Sequence, residues 1–213
     1  MLPKELSNGI CSLNPQEDRL AFSCLCELDK QGNITDYKFA KTVIRSRVKG
    51  VYSEINSLLA GSDDAELKEK YADVSGQLPI IKELADILYK NKKNRGCPEL
   101  ETSESKLIIN DEDICVGVER RTRGRSEEII EDFMLVANEC AARFGMDNNL
   151  PFVYRIHEEP SDEKLESLRE ALVKLNVQYK LGEKACPGDM SEILKAAKGT
   201  DIDLIMNNIV LRS

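Results

Sequence analysis

The 213-residue sequence holds one histidine, no tryptophan, and seven cysteines without a CxxC pair among them. A single histidine leaves a conventional zinc centre short of ligands. An odd cysteine count with no paired spacing argues for reduced thiols in a cytoplasm rather than a disulfide framework. No apolar run approaches the roughly 20 residues of a membrane span, so no membrane partner is expected, and no signal-peptide pattern is visible. GxSxG, HExxH and glycine-rich phosphate loops are all missing, which removes the commonest hydrolase and nucleotide signatures. Repeats and low-complexity tracts are absent too.

What remains is ordinary for a globular chain: 41% hydrophobic residues, 32% charged, and a net charge of -8. That charge excludes a wholly basic nucleic-acid surface but leaves room for local basic patches. The length is ample for a core.

The chain opens with turn signals at Pro3, Asn8-Gly9 and Asn14-Pro15, so residues 1–19 are expected to be an ordered loop. Alternation of Leu20, Phe22, Cys24, Cys26 and Leu28 predicts a strand with those side chains on one face. A turn at residues 29–33 returns it as a second strand over 34–44. After Gly50 comes a short helix ended by Gly61, then a longer helical region over 66–93, interrupted at Pro79 and stopped by Gly96. Residues 99–110 and 114–121 read as a second hairpin, with the acidic run Asp111-Glu112-Asp113 as its solvated turn. Residues 152–157 read as a short buried strand whose His157 has a structural role. Three amphipathic helices follow: one capped at Ser161 with a Leu165, Leu168, Leu172, Leu175 stripe, one starting at Pro187, and one opening at Asp201. The last is still apolar at residue 211, and that pattern is expected of a chain that continues.

The helix predicted over 125–144 organises the rest. Ile130, Phe133, Ala137, Cys140, Ala141 and Phe144 share one face at three- and four-residue steps. A second face carries Glu131, Leu135, Asn138 and Ala142, leaving Asp132, Val136, Glu139 and Arg143 for water. So wide an apolar girth predicts a helix buried between layers, with Ser126 as its cap. A carboxylate at 131 on such a helix needs a partner or a cavity. The residues alone favour a satisfied structural hydrogen bond.

Basic groups fall at the ends of elements, around Arg45, Arg47 and Lys49, around Lys90 to Arg95, and around Arg120 to Arg125. Tyr52, one of six tyrosines and five phenylalanines, lies just past the first group. A ring beside phosphate-binding cations is how single-stranded nucleic acid is held. The same residues also read as solvated charges beside a half-buried helix tyrosine, and pattern alone favours that account. Composition and spacing thus give an α+β chain without a visible catalytic centre.

Three motifs in order, LPKELSNGICSLNPQEDR at 2–19, RSEEIIEDFMLVANECAARF at 125–144 and FVYRIHEEPSDEKL at 152–165, resemble the RNB catalytic domain of the ribonuclease II/ribonuclease R family. RGCPELETSESKLIIN at 95–110 is similar to the ribonuclease R branch. The resemblance implies a processive 3′-to-5′ exoribonuclease that hydrolyses single-stranded RNA to nucleoside 5′-monophosphates. It implies an α+β fold in which antiparallel hairpins and a mixed sheet pack around a buried central helix, with residues 1–213 as the central portion of one catalytic domain. It further implies Mg²⁺ held by an aspartate cluster upstream of the opening motif, an arginine segment downstream, and flanking OB-type domains, none of them in this chain. By the same resemblance Tyr52 sets the end position of the RNA, and Glu131 lies near the terminal nucleotide. Leu100 stands where relatives carry a base-stacking phenylalanine, and Asn14 and Arg19 belong to the opening motif without an assigned role. The rival expectation is a non-catalytic RNA- or protein-binding module that keeps the fold, which the acidic charge and Leu100 favour.

Overall fold

Residues 2–100, 104–121, 123–156 and 158–212 are described by the structure, a computed structural model. The chain divides into two compact units, Met1–Tyr89 with Arg123–Val153, and Lys90–Thr122 with Tyr154–Ser213. Strands and helices are mixed throughout, as an α+β reading requires.

In the first unit, Glu5–Ile10 forms a short wide helical turn where the turn residues predicted a loop. The amide of Cys11 reaches back to the carbonyl of Leu6, so Asn8 and Gly9 are wound into the turn rather than breaking it. Strands β1 (Asp18–Leu28) and β2 (Ile34–Arg45) pair antiparallel, with Leu20 opposite Val43 and Cys26 opposite Tyr37. Asp29 closes the turn by accepting the amides of Gln31 and Asn33. The sequence expected both strands and the turn.

Helix α1 (Tyr52–Leu59) ends where Gly61 takes a positive φ of 86°. The predicted long helix is three, α2 (Ala65–Lys70), α3 (Ala72–Ser75) and α4 (Leu78–Asn94). The breaks fall at Tyr71 and at residues 76–77, and Pro79 sits in the first turn of α4, where its missing N–H costs nothing. Helix α5 (Arg125–Asp147) packs its first turn on α1 and its later turns on the hairpin. There Phe39 meets Phe144 edge-on at 5.5 Å, and the Tyr37 hydroxyl donates to Asp147 at 3.1 Å.

The burial of α5 departs from the pattern in its sequence. Ser126, Ile129, Asp132, Cys140 and Gly145 are its buried residues, while Ile130, Met134, Leu135 and Phe144 are exposed. Asp132, expected to face water, is 3% exposed. Glu131 and Asn138 are not buried, so the central helix is covered on one narrow stripe. Periodicity reports which residues are apolar; what lies against them is a tertiary fact.

In the second unit, β3 (Glu104–Ile109) and β4 (Cys115–Arg121) form the expected hairpin, with Asn110 accepting the amides of Glu112 and Ile114 in its turn. Both described sheets are two-stranded and antiparallel, and the parallel pairing of a mixed sheet is confined to a single bridge, Pro15 with Ser46 in the first unit. Helices α6 (Asp162–Lys174), α7 (Pro187–Ala197) and α8 (Asp203–Arg212) build the core from Leu165, Leu168, Leu172, Ile193, Leu194 and Met206. Ser161 caps α6 through the amide of Lys164, as its spacing predicted. The last helix starts at Asp203 rather than Asp201, residues 201–202 forming a turn, and the Asp203 carboxylate accepts the amide of Gly199.

Gly96, which stops α4, is fixed twice: its φ is +78°, and an added Cβ would lie 2.9 Å from the Gly188 Cα. Residues 152–156 join neither described sheet, and Val153 and Ile156 are exposed, so the expected buried strand is not formed there. Residues 101–103 and His157 lie outside the described residues.

Candidate nucleic-acid interface

The first turn of α1 and the first turn of α5 are tied by one hydrogen-bond network in the first unit. The Asn56 amide donates to the Glu127 carboxylate at 2.9 Å and accepts the Ser126 amide at 2.8 Å. Ser126 donates its hydroxyl to the Tyr52 carbonyl at 3.1 Å, and Glu127 reaches back to the Gly124 amide at 3.1 Å. The N-cap of α5 is therefore Gly124, not Ser126, which is buried and spent on α1. These bonds hold the Glu127 carboxyl below the usual carboxylate range, against a burial that by itself raises it. A Cβ at Gly124 would sit 2.0 Å from the Asn56 amide nitrogen, so any larger residue there must displace the Asn56 side chain.

A second network fixes the start of α1 from below. Buried Tyr71 accepts the Val51 amide at 3.1 Å and donates to Glu54, which also takes Lys70 at 2.6 Å. Lys70 first and Tyr71 second depress the Glu54 carboxyl. Tyr52 emerges from this frame with 46% of its surface exposed.

Four of the five residues singled out by resemblance lie in this unit. Glu131 is paired with Arg123, and 44% of its side chain is exposed. Its partner is thus a surface cation rather than a cavity. Asn14 braces the opening segment, accepting the Ser12 hydroxyl and donating to the Asn8 carbonyl. Next to it, Pro15 bridges Ser46, and Gln16 bonds the carbonyls of Ser46 and Arg47. The opening segment is thereby sewn to the basic stretch that precedes Tyr52. Arg19 pairs with Glu17 and lies opposite Ile44 in the ladder. Its Nε is buried without a hydrogen-bond partner. Leu100, the fifth, belongs to the second unit, where it is half-buried against the helical core.

The basic groups are unequal. Arg45 is held by Asp18 at 2.7 Å, and Arg125 by Glu128 at 2.9 Å and by Asp86. Arg47 and Lys49, which precede Tyr52 in the sequence, take no carboxylate among the described residues. The side chains of Arg120 and Arg121 lie outside what is described. A groove of about 730 Å³ lined by Leu58, Leu59, Tyr71, Leu78 and Pro79 sits in the same unit, and none of the five residues lines it.

Sequence reading missed Asn56 and Gly124, and gave Ser126 the capping role that falls to Gly124. Asn56 carries no local signal, because its partners are 70 and 71 residues away. Gly124 had one signal, the Glu three positions on whose carboxylate takes its amide, although a glycine has no side chain to return the bond. Among the described residues no three histidine, cysteine, aspartate or glutamate side chains are arranged to hold a metal ion, so these residues do not fit a magnesium centre. No described helix is long and apolar enough to cross a membrane.

The sequence is 36% identical to Ribonuclease R 1 of Lactococcus lactis subsp. lactis (strain IL1403), over all of this chain and 26% of that protein. It is 35% identical to Ribonuclease R of Escherichia coli (strain K12), again over the whole chain and 26% of the relative. The chain thus spans about a quarter of the length of these curated relatives. The fold matches Mycoplasma genitalium RNase R in complex with ribose methylated single-stranded RNA with a TM-score of 0.89 at 27% identity, covering 99% of this chain and 33% of that one. The complex of the same enzyme with double-stranded RNA gives 0.90 at 27% identity, with 37% of that chain covered. The RNB domain matches from residue 1 to residue 213, and this chain belongs to the RNB domain family.

Proposed function

We propose that this chain is the central portion of the catalytic domain of a processive 3′-to-5′ exoribonuclease that hydrolyses single-stranded RNA to nucleoside 5′-monophosphates. The observation that carries the reading is the whole-chain RNB match together with the likeness to RNase R bound to single-stranded RNA. In this reading the chain supplies part of the RNA-holding surface. Tyr52 offers its ring to a base, Arg47 and Lys49 draw the backbone, and Glu131 with Arg123 borders the same face from α5. Asn14 and Arg19 shape the edge next to the basic stretch. Leu100 adds apolar surface rather than a stacking ring. Magnesium ligands and OB-type domains belong to parts of a longer protein, and the seven free thiols suit a cytoplasmic setting.

The test is fluorescence anisotropy of a labelled single-stranded oligoribonucleotide on the chain across a salt series. Affinity is expected to fall linearly in log salt, as phosphate contacts require. Tyr52→Ala is expected to weaken binding by about 1–3 kcal/mol, the worth of one stacked base. Salt-independent affinity, or a Tyr52→Ala protein that binds as the parent does, removes this face from RNA recognition. A non-catalytic module that keeps the fold is the second reading, favoured by the packing of Leu100 into a core and by the net charge of -8. Salt-sensitive binding would separate a retained RNA groove from a protein-interaction surface.

A further inference from the structure

Three thiols converge where β1 meets α5. Cys24 and Cys26 stand two apart on β1 and point to one face, and Cys140 rises to meet them from the buried stripe of α5. The Cys140 thiol donates to the Cys26 sulfur at 3.8 Å across 114 residues of sequence. The remaining four cysteines, Cys11, Cys97, Cys115 and Cys186, are exposed. None of the three converging thiols takes part in the surface described above, and they are not arranged as a metal centre.

We infer that Cys26 and Cys140 are an oxidative modification site, which a peroxide converts to a disulfide that clips the β1–β2 hairpin to α5. The contact sets the roles. Cys26 is half-buried and accepts the Cys140 thiol, so its thiolate is the one that a hydrogen bond stabilises. Cys140 is fully buried and cannot meet the oxidant itself. Cys26 sulfur attacks one peroxide oxygen, the O–O bond breaks, and hydroxide leaves as water with a proton from solvent. Cys140 sulfur then attacks the sulfenic sulfur, the S–O bond breaks, and a second water leaves with the Cys140 proton. The two cysteines lose two electrons in total, and these reduce the peroxide. Closing the remaining distance to a bond needs a shift of under 2 Å between the sulfurs, of the order a side-chain rotation provides.

Burial pushes both thiols up; at Cys26 the neighbouring Cys24 and Asp36 add to the rise while the bond from Cys140 and the Arg143 cation oppose it, and at Cys140 Arg143 again opposes it. The Cys26 thiolate is therefore scarce near neutrality, and the clip forms slowly there. Its rate rises about tenfold for each unit that the pH climbs, up to the thiol value. The inference does not depend on RNA binding, and its test does not either.

The experiment treats a protein whose four exposed cysteines are serine with hydrogen peroxide, blocks free thiols under denaturing conditions, and reads intact and peptide masses. The expected result is loss of two hydrogens and a cross-linked peptide joining Cys140 to a β1 cysteine, Cys26 above Cys24. It is reversed by a dithiol and accompanied by a rise in the thermal midpoint. Cys26→Ala, at a half-buried position, is expected to keep the fold and to lower the yield of Cys140 cross-link at least tenfold. Recovery of Cys140 as a free thiol after Cys26 has been oxidised overturns the inference. So does a bridge confined to Cys24 and Cys26, or a cross-link yield unchanged by Cys26→Ala.

Discussion

Asn56 and Gly124 occupy the same few ångströms, and the cost of changing either is set by the other. Asn56→Ala leaves the Ser126 amide and the Glu127 carboxylate without their shared partner in a half-buried place. The expected loss is about 1–3 kcal/mol. Gly124→Ala drives a methyl into the Asn56 amide and should cost a similar amount by displacing it. In the Asn56→Ala background the obstacle is gone, so Gly124→Ala should then cost well under its value in the parent. Denaturant titration of the four proteins reads the coupling, and strict additivity would show that the two do not meet. Glu131 is a different case at the same scale. Its bond to Arg123 is exposed at both ends, 55% and 44%, so its net worth to stability is about 0–1 kcal/mol. Glu131→Gln should leave the unfolding midpoint nearly unmoved while releasing Arg123. If RNA passes this face, the slope of log affinity against log salt should steepen by about 0.7, one more phosphate contact on a single strand. An unchanged slope would place Arg123 off the path.

Elements were legible where their pattern and their packing agree. Helix α6 was readable because the period that makes its apolar face also chooses the face that is covered. The β1–β2 hairpin was readable from its alternation and its turn, although Leu20 and Phe22 on its apolar face stay exposed. For α5 the two part company: a wide apolar girth is written in its sequence, yet only a narrow stripe is buried, and its cap lies one residue outside the segment read as helix. Residues 152–156 show the same limit, since apolar β-formers without a ladder partner make no strand. Tyr52 was singled out by resemblance, its neighbours Arg47 and Lys49 reading by pattern alone as solvated charges, and Asn56 carried no signal at all, because its meaning depends on a helix 70 residues on.

One element carries a pH response of its own. Tyr179 donates to Asp189 at 2.6 Å, and Asp189 also accepts the Cys186 amide at the start of α7. That bond first, and burial second, push the Tyr179 hydroxyl up to about 12 from its ordinary 10.0. A raised value means stability that is complete below 10 and is lost as pH climbs through about 12. Asp189 is held below its ordinary 3.8, chiefly by Tyr179, so its share is present above that value and lost as pH falls below it. Tyr179→Phe should abolish the alkaline loss and narrow the acid one, read as unfolding midpoint against pH. A parent protein whose midpoint is flat between pH 10 and 12 would refute the bond in solution.

At the scale of the whole chain, apolar surface and missing chemistry point the same way. Leu20 is 86% exposed and Phe22 72%, side by side on one face of β1, although the alternation that places them there is that of a covered strand. Exposed apolar strand faces of this kind are uncommon in a free-standing monomer, and the relatives matched are about four times as long. The proposed RNA face offers a ring and cations, but phosphodiester hydrolysis at neutral pH needs an activated water and a stabiliser of phosphate charge. Among the described residues no cluster is arranged to hold the metal that would provide both. The chain by itself is therefore expected to bind single-stranded RNA and leave it intact. Incubation of an end-labelled oligoribonucleotide with the purified chain and Mg²⁺ should release no labelled mononucleotide, while the same preparation retards the oligonucleotide on a native gel. Mononucleotides that appear with Mg²⁺, vanish with a chelator, and survive repurification would mean that a metal centre assembles within these 213 residues after all. In that event the aspartates and glutamates now read as caps and surface pairs, Asp203 and Glu131 among them, would have to be examined one by one as ligands.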